Sequence, residues 1–456
     1  MSETRSIVFP VPQAPAEPLS KREIAAVLRT NVLAGFSRHA FEDDVVASRL
    51  FSFHQILLNR ADSIRHVLVD NAENYRRTPA TIRLLNPITG TGLFLADGDD
   101  WREQRRVVAP AFAPRMVPLL APHIALAADA MVAELSASTG EIDLSDRMAH
   151  LALEVAGRSM FSLEMGEFGP RVRGLLRRYG EHLGRPTLLD ILLPLAIPAP
   201  RDFGRWRFRR RWLGLIGEII AARRAQPQSP SARDLLDLLS FDHETGAPIA
   251  DRRLADQVGT MIAAGHATTA VALFWSLFLV ASVPEVQERI AAEVQPLDLG
   301  PKNAAAAIPH LTYSRAVVSE ALRLYPPAYS IVRLARRADN AAGVPVPAGT
   351  VVQIAPWVLH RHRRLWAEPE AFDPSRFLPG APAPDRFTYL PFGAGPRVCV
   401  GAQFALTEAV LVLARLVQAF DIARTGDEPV LPVAAITVQP DHPPGFRLRH
   451  RSTRKR

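Results

Sequence analysis

From Gln257 to Val283 the chain carries no Asp, Glu, Lys or Arg. A helix of that length is long enough to cross a bilayer. In water it is stable only if other elements cover it all round. Its middle holds His266, Thr268 and Thr269, groups that a bilayer penalises at mid-depth. A single crossing here would also cut the first half of the chain off from the loop around Cys399. The run therefore reads as the central helix of a protein core, with no integral membrane span. The chain has 456 residues, of which 48% are hydrophobic, ample material to cover it.

Helical periodicity dominates from about Asp62 to Leu324. Helices are expected near 62–71, 98–109, 117–137, 146–161, 207–224, 251–282, 284–295 and 311–324. Strand-like runs lie near 45–59, 330–336, 350–354 and 428–449. A further helix should begin just after Cys399 and reach about Phe420, with Phe404, Leu411 and Phe420 facing inward. The fold class is mainly α with a small β region. Residues 1–20 read as a proline-rich arm on the surface, and 21–456 as one domain. Proline-rich spots near Pro194–Pro200, Pro227–Pro230 and Pro379–Pro384 are short enough to be loops.

The formal net charge is +8, almost all of the positive charge being arginine. A GC-rich genome produces such a bias, so it is weak evidence for nucleic acid, and none is expected as a partner. The clusters Arg209-Arg210-Arg211 and Arg454-Lys455-Arg456 read as solvated faces. Met1 to Ser6 has no apolar signal core. One cysteine in the whole chain fits a reducing cytoplasm.

That cysteine, Cys399, lies in Phe392-Gly393-Ala394-Gly395-Pro396-Arg397-Val398-Cys399-Val400-Gly401. It has no disulfide partner within the chain and cannot build a multi-cysteine metal centre. It remains able to act as a single thiolate ligand. The start of a helix favours its anion, and glycines let backbone N–H groups turn toward the sulfur. A buried structural cysteine in a turn is the alternative. The run closely resembles the haem-binding loop of the cytochrome P-450 monooxygenases.

That resemblance implies a single-domain cytochrome P-450 fold with the long central helix over the haem. It implies haem b (iron protoporphyrin IX) with Cys399 as axial thiolate, a ligand that favours O–O cleavage, and dioxygen as co-substrate. Phe392 would pack on the sulfur side and Gly393 would help the backbone curl. Arg397 would reach a propionate, which needs a cation when buried. Further segments match the family in order. Trp101-x-x-x-Arg105 is the propionate-binding pair, although an ordinary amphipathic helix also shows such spacing. Arg333 is a third propionate candidate. Glu320-x-x-Arg323 and Arg376, the latter in Phe372-Asp373-Pro374-Ser375-Arg376-Phe377, match a buried structural network that locks the loop leading to the cysteine.

The long helix carries Ala264-Gly265-His266-Ala267-Thr268-Thr269. By resemblance Gly265 leaves room for dioxygen, and Thr268 hydrogen-bonds it and helps deliver protons. A threonine satisfied by its own helix is the alternative. The family's acid is missing, since position 267 is alanine. Protons must then come through water or through His266, which points about 100° away from position 267 on the helix and reads otherwise as a satisfied core histidine.

Pocket walls are expected from Ile82 to Leu95, from Ala263, Ala264 and Ala267, from Ala328, Ile331 and Val332, and from Ile436 and Thr437. These chosen positions carry no fixed charge, which favours a hydrophobic small-molecule substrate. The Thr187-to-Pro200 stretch is an entrance lid or a plain packing segment. About 55 residues follow Cys399, and no dinucleotide-binding glycine fingerprint stands out. NAD(P)H is therefore expected to act only through a separate ferredoxin or flavodoxin and its reductase. Arg102, Arg105, Arg106, Arg361, Arg363 and Arg364 are the expected docking cations, on a monomer. The leading function is hydroxylation or epoxidation. A peroxide-driven or rearranging haem-thiolate enzyme, and a non-catalytic haem sensor, are the alternatives.

Overall fold

The computed structural model describes residues 7–50, 53–226, 234–241 and 249–451. Met1–Ser6, the Pro227–Pro230 spot and the tail Arg454–Arg456 lie outside the described residues. The principal helices are α1 (Pro79–Thr89), α2 (Gly98–Val108), α3 (Val117–Ala137), α4 (Leu144–Phe161), α5 (Phe168–His182), α6 (Pro200–Arg224), α7 (Asp251–Ser282), α8 (Pro284–Val294), α9 (Thr312–Leu324) and α10 (Ala402–Ala419).

The uncharged run forms the body of α7, whose C-terminal half is buried from Thr269 to Val280. α1, α4, α6, α9 and α10 pack around it. Two of its buried hydroxyls are satisfied within the helix: Thr260 donates to the Asp256 carbonyl at 2.6 Å and Ser276 to that of Ala272 at 2.7 Å, as short polar side chains in helices do. Trp275 stacks on Tyr325 with centroids 3.9 Å apart, and its indole N–H reaches the Val438 carbonyl at 2.8 Å. Among the described residues three helical stretches, Pro114–Ala137, Asp251–Ser282 and Ala402–Ala419, are long and apolar enough to cross a membrane by length and composition. The apolar surfaces of α7 and α10 are mostly buried within the protein.

A five-stranded sheet stands beside the helices. Its strands are β1 (Val45–Leu50), β2 (Phe53–Leu58), β3 (Tyr75–Arg76), β4 (Ile331–Ala335) and β5 (Val351–Ile354), in spatial order β1-β2-β5-β4-β3. The strand-like run near 45–59 is thus an antiparallel hairpin, with Val45 opposite Leu58. The run near 428–449 divides into Pro432–Ala434, Val438–Pro440 and Gly445–His450. The expected helix at 62–71 is Ala61–Arg65 followed by a π-helical turn, His66–Asp70.

Two of the principal helices were not expected from periodicity. The segment from Ile82, expected only as pocket wall, is largely the body of α1, capped by Thr78, whose hydroxyl accepts from the Thr81 N–H at 3.2 Å. α5 is rich in arginine, and its buried side is only Gly169, Val172 and Tyr179. α6 starts at Pro200 rather than 207 because proline suits a first helical position; the Asp202 carboxylate there accepts from the Ala199 N–H at 2.8 Å. The N-terminal arm is not wholly superficial. Ile7–Val8 pairs with Ala371–Phe372, and Phe9 inserts between Phe278 and Phe372 at 5.7 and 6.4 Å.

Candidate functional site

A cavity of about 2070 Å³ opens beneath α7 and is lined by α1, the start of β4, the cysteine loop and α10. Cys399 faces it from the loop. Backbone bonds set the curl of that loop: Cys399 N–H donates to the Phe392 carbonyl at 2.9 Å and Val398 N–H to that of Gly395 at 3.0 Å. Gly393 and Gly395 have φ of 72° and 74°, which side-chain-bearing residues rarely adopt. At Gly395 a Cβ would also lie 1.9 Å from the Leu68 carbonyl oxygen. Phe392 and Gly393 line the cavity, and α10 begins three residues beyond the sulfur.

In the protein alone, burial pushes the Cys399 thiol up, against the pull of the Gly401 N–H and the Arg105 charge.

The same cavity gathers arginines. Arg77, Arg105, Arg333 and Arg397 all line it. Burial first, then the charges of Arg397 and Arg333, pull Arg77 down to about 9. Burial and Arg397 pull Arg333 down to about 10. Arg397 holds Asp97 at 2.6 Å and lies over the Trp101 ring at 4.4 Å. Arg105 donates to the Val398 carbonyl at 2.7 Å, one residue before the cysteine. Buried guanidiniums that depress one another suit a ligand bearing more than one carboxylate. A dicarboxylate macrocycle with an iron facing Cys399 fits this donor set. Arg77 was missed by sequence reading, because nothing in Arg76-Arg77 marks one arginine as inward.

Glu320, Arg323 and Arg376 come together. Arg323 forks onto Glu320 at 2.7 and 2.8 Å, with both side chains fully buried. It also donates to the carbonyls of His360, Pro369 and Ala371 at 2.7, 2.6 and 2.8 Å. Arg376 Nε lies 3.5 Å from Glu320. His360, another residue missed from sequence, carries this network to the cysteine loop. Its Nδ1 faces the Arg323 carbonyl at 3.2 Å, and its Nε2 accepts from the Leu390 N–H at 2.8 Å. Burial and the Arg323 charge bring its pKa down to about 3, so the ring is neutral and bonds on both sides.

On α7, Thr268 lines the cavity and its hydroxyl donates to the Ala264 carbonyl at 2.6 Å. Gly265 is not among the lining residues; a Cβ there would meet Met160 at 3.3 Å. His266 lines the cavity but is not a satisfied core histidine. Neither ring nitrogen has a partner among the described residues. Burial first, then Arg173, lower its pKa to about 4.

Ala263, Ala264, Ala267, Ala328, Ile331, Val332, Ile436 and Thr437 all line the cavity. Ile82 and Leu95 do not. α1 turns Thr81, Leu84, Leu85 and Ile88 inward, the i, i+3, i+4, i+7 stripe of a helix, and this excludes Ile82. The Thr187–Pro200 stretch contributes Ile191 to Pro194 to the lining. Arg83 on α1 ties it down, donating to the carbonyls of Pro194 and Ile197 at 2.8 and 2.7 Å. Of the expected docking cations, Arg361 is buried, stacked on Trp357 at 3.6 Å and paired with Glu370. It is no surface charge. Arg363 pairs with Glu42, and Arg364 lies 3.4 Å from Asp44. Arg102 is exposed and paired with Asp99 and Glu73.

Residues 36–443 match the family model described as Cytochrome P450. The chain is 35% identical over 387 residues to cyclooctatin synthase of Streptomyces melanosporofaciens, covering 82% of each protein. It is 35% identical to cyclooctat-9-en-7-ol 5-monooxygenase of the same organism, over 72% of each. It is 32% identical to pentalenene oxygenase of Streptomyces avermitilis, over 79% of this chain and 80% of that one. The crystal structure of the cytochrome P450DA heme domain superposes with a TM-score of 0.77 at 24% identity, over 90% of each chain, which speaks for the fold. The chain belongs to the cytochrome P450 family and is a P450 monooxygenase, and the family implies haem with a cysteine thiolate.

Proposed function

We propose that this cytochrome P450 inserts one oxygen atom of dioxygen into a hydrophobic cyclic terpenoid, with Cys399 as the axial thiolate of its haem. The observation that carries the reading is Cys399 facing a large cavity whose wall gathers Arg77, Arg333 and Arg397. The named terpenoid oxygenases among the relatives support the substrate class. Bound haem would supply the oxygen activation. The chain's own residues would do the rest. Arg77, Arg105, Arg333 and Arg397, with the Trp101 N–H, would hold the two propionates. The apolar wall would orient the skeleton and exclude water. Thr268 would exchange its bond to the Ala264 carbonyl for one to dioxygen or to a water. Electrons would come from NAD(P)H through a separate ferredoxin or flavodoxin and its reductase, in the cytoplasm, to a monomer. Exposed Arg102 and Arg106 would steer an acidic partner.

Ala267 leaves no carboxylate for proton delivery at its position. Water would carry protons past Thr268, because a ring with a pKa of about 4 is a poor relay at neutral pH. The same alanine favours a second reading, a peroxide-driven or rearranging enzyme. The test is turnover of terpenes with a surrogate ferredoxin and its reductase, set against peroxide alone. Product only with peroxide would favour the second reading. Ala267→Glu should lower the peroxide released per NAD(P)H consumed; unchanged coupling would contradict the proton argument.

A further inference from the structure

The cavity is not apolar throughout. Between α4, α5 and α7 its wall carries Ala149, Arg173, Gly174 and His266. His266 follows Ala263 by three residues and precedes Ala270 by four, and all three line the cavity. That is one face of α7, distinct from the face of Thr268. The His266 side chain is buried at 6% exposure, and neither Nδ1 nor Nε2 has a hydrogen-bond partner among the described residues. Arg173 on α5 is close enough for its charge to bear on the ring. Its Nη1 is likewise buried and unpartnered among the described residues. The Ala149 carbonyl on α4 lies beside the ring, outside the geometry of a good hydrogen bond.

A buried imidazole and a buried guanidinium nitrogen without partners are costly to leave in an apolar core. An unliganded packing role does not account for them. Their donor pattern defines what would satisfy them. A neutral imidazole offers one N–H and one acceptor nitrogen, and a guanidinium offers donors only. An oxygen that accepts from Arg173 and from the ring satisfies both residues. A hydroxyl can also donate back to the ring.

We propose that His266 and Arg173 form a polar notch that binds an oxygen function, hydroxyl or carboxylate, on the substrate. This inference rests on the terpenoid reading only for the skeleton. The remainder of the substrate would lie along the apolar wall toward Cys399. The enzyme would then act on an already oxygenated skeleton, so an earlier hydroxylating, hydrating or carboxyl-forming reaction must supply its substrate.

The test is a spin-shift titration of the haem-loaded protein with two matched probe sets. One set is abietadiene, abietol and abietic acid; the other is dodecane, dodecanol and dodecanoic acid. In at least one set the alcohol or the acid should bind about tenfold or more tighter than its hydrocarbon, because the hydrocarbon leaves the notch unpaired. His266→Leu should bring that preference within about threefold. Arg173→Met should weaken the acid more than the alcohol. Both variants should keep full haem content, a readout of folding separate from the notch. Equal affinity for hydrocarbon and oxygenated probes in the wild type overturns the notch, as does a preference that survives His266→Leu. Response to the linear set alone, with the polar preference intact, would sink the terpenoid reading and leave the notch standing. Silence from both sets would sink both.

Discussion

Arg323→Leu removes the cation at the centre of the structural network. The carboxylate of Glu320 would keep the Asp373 N–H at 2.9 Å and Arg376 at 3.5 Å, but it would lose its bidentate partner. The carbonyls of His360, Pro369 and Ala371 would lose a donor in the same step. Removing one partner of a buried pair costs about 3–5 kcal/mol. The orphaned carbonyls push the cost toward the upper end, although such terms do not simply add. Domains are stable by about 5–15 kcal/mol, so the variant would be marginal. For a chain of this length the urea dependence is about 3 kcal/mol per molar or more. The unfolding midpoint should therefore fall by roughly 1–1.5 M, and haem content per polypeptide should fall with it. Arg323→Lys keeps the charge but not the planar fork, so it should lie between the two. Circular dichroism and haem absorbance along one urea titration measure both quantities. A midpoint shift under about 0.3 M with full haem content would refute the reasoning.

Other expectations follow from single sites. Gly395→Ala should cost about 2 kcal/mol or more, since it combines a positive φ with a collision against the Leu68 carbonyl; its haem-loaded yield should drop well below wild type, and a normal yield contradicts the loop argument. Thr268→Ala should raise peroxide release per NAD(P)H severalfold while Thr268→Ser stays near wild type; equal coupling in all three removes Thr268 from proton delivery. Asp339 is subject to burial, which raises its pKa, but hydrogen bonds from Tyr75, His66 and Asn71 hold it at about 2. Its stabilisation is present above the usual carboxylate pKa and is lost as pH falls from about 4 to about 2, so Asp339→Asn should be less stable by about 2 kcal/mol at neutral pH. The gap should close near pH 2, and a gap that persists there would contradict the titration. Reduction by an acidic ferredoxin should slow with salt and with Arg102→Glu plus Arg106→Glu; indifference to both places docking elsewhere.

The parts legible from the sequence are those fixed by local chain geometry. The cysteine loop is contiguous, and its glycines announce the positive-φ turns that the structure contains. Glu320 and Arg323 share one turn of α9, so their pairing was visible as spacing. α7 was visible because a run without charge needs cover from every side. What was not legible depends on which way the fold turns a side chain. Arg77 carried no signal and Arg361 read as a docking cation, yet the first lines the cavity and the second stacks on Trp357. Ile82 looked like a pocket residue until α1 proved helical and turned Leu84, Leu85 and Ile88 inward instead. His360 acts through partners far away in sequence, and no local pattern announces such contacts. α5 escaped notice because its buried stripe is thin among arginines.

The central claim is that Cys399 is the sulfur ligand of the haem. The most direct measurement is the reduced carbon-monoxide difference spectrum of the purified holoprotein beside Cys399→Ser. The wild type should show its band at the thiolate position, and the serine variant should lose that band even where it retains pigment. A wild-type band at the position of a nitrogen-ligated haem, or a thiolate band that persists in the serine variant, would contradict the account.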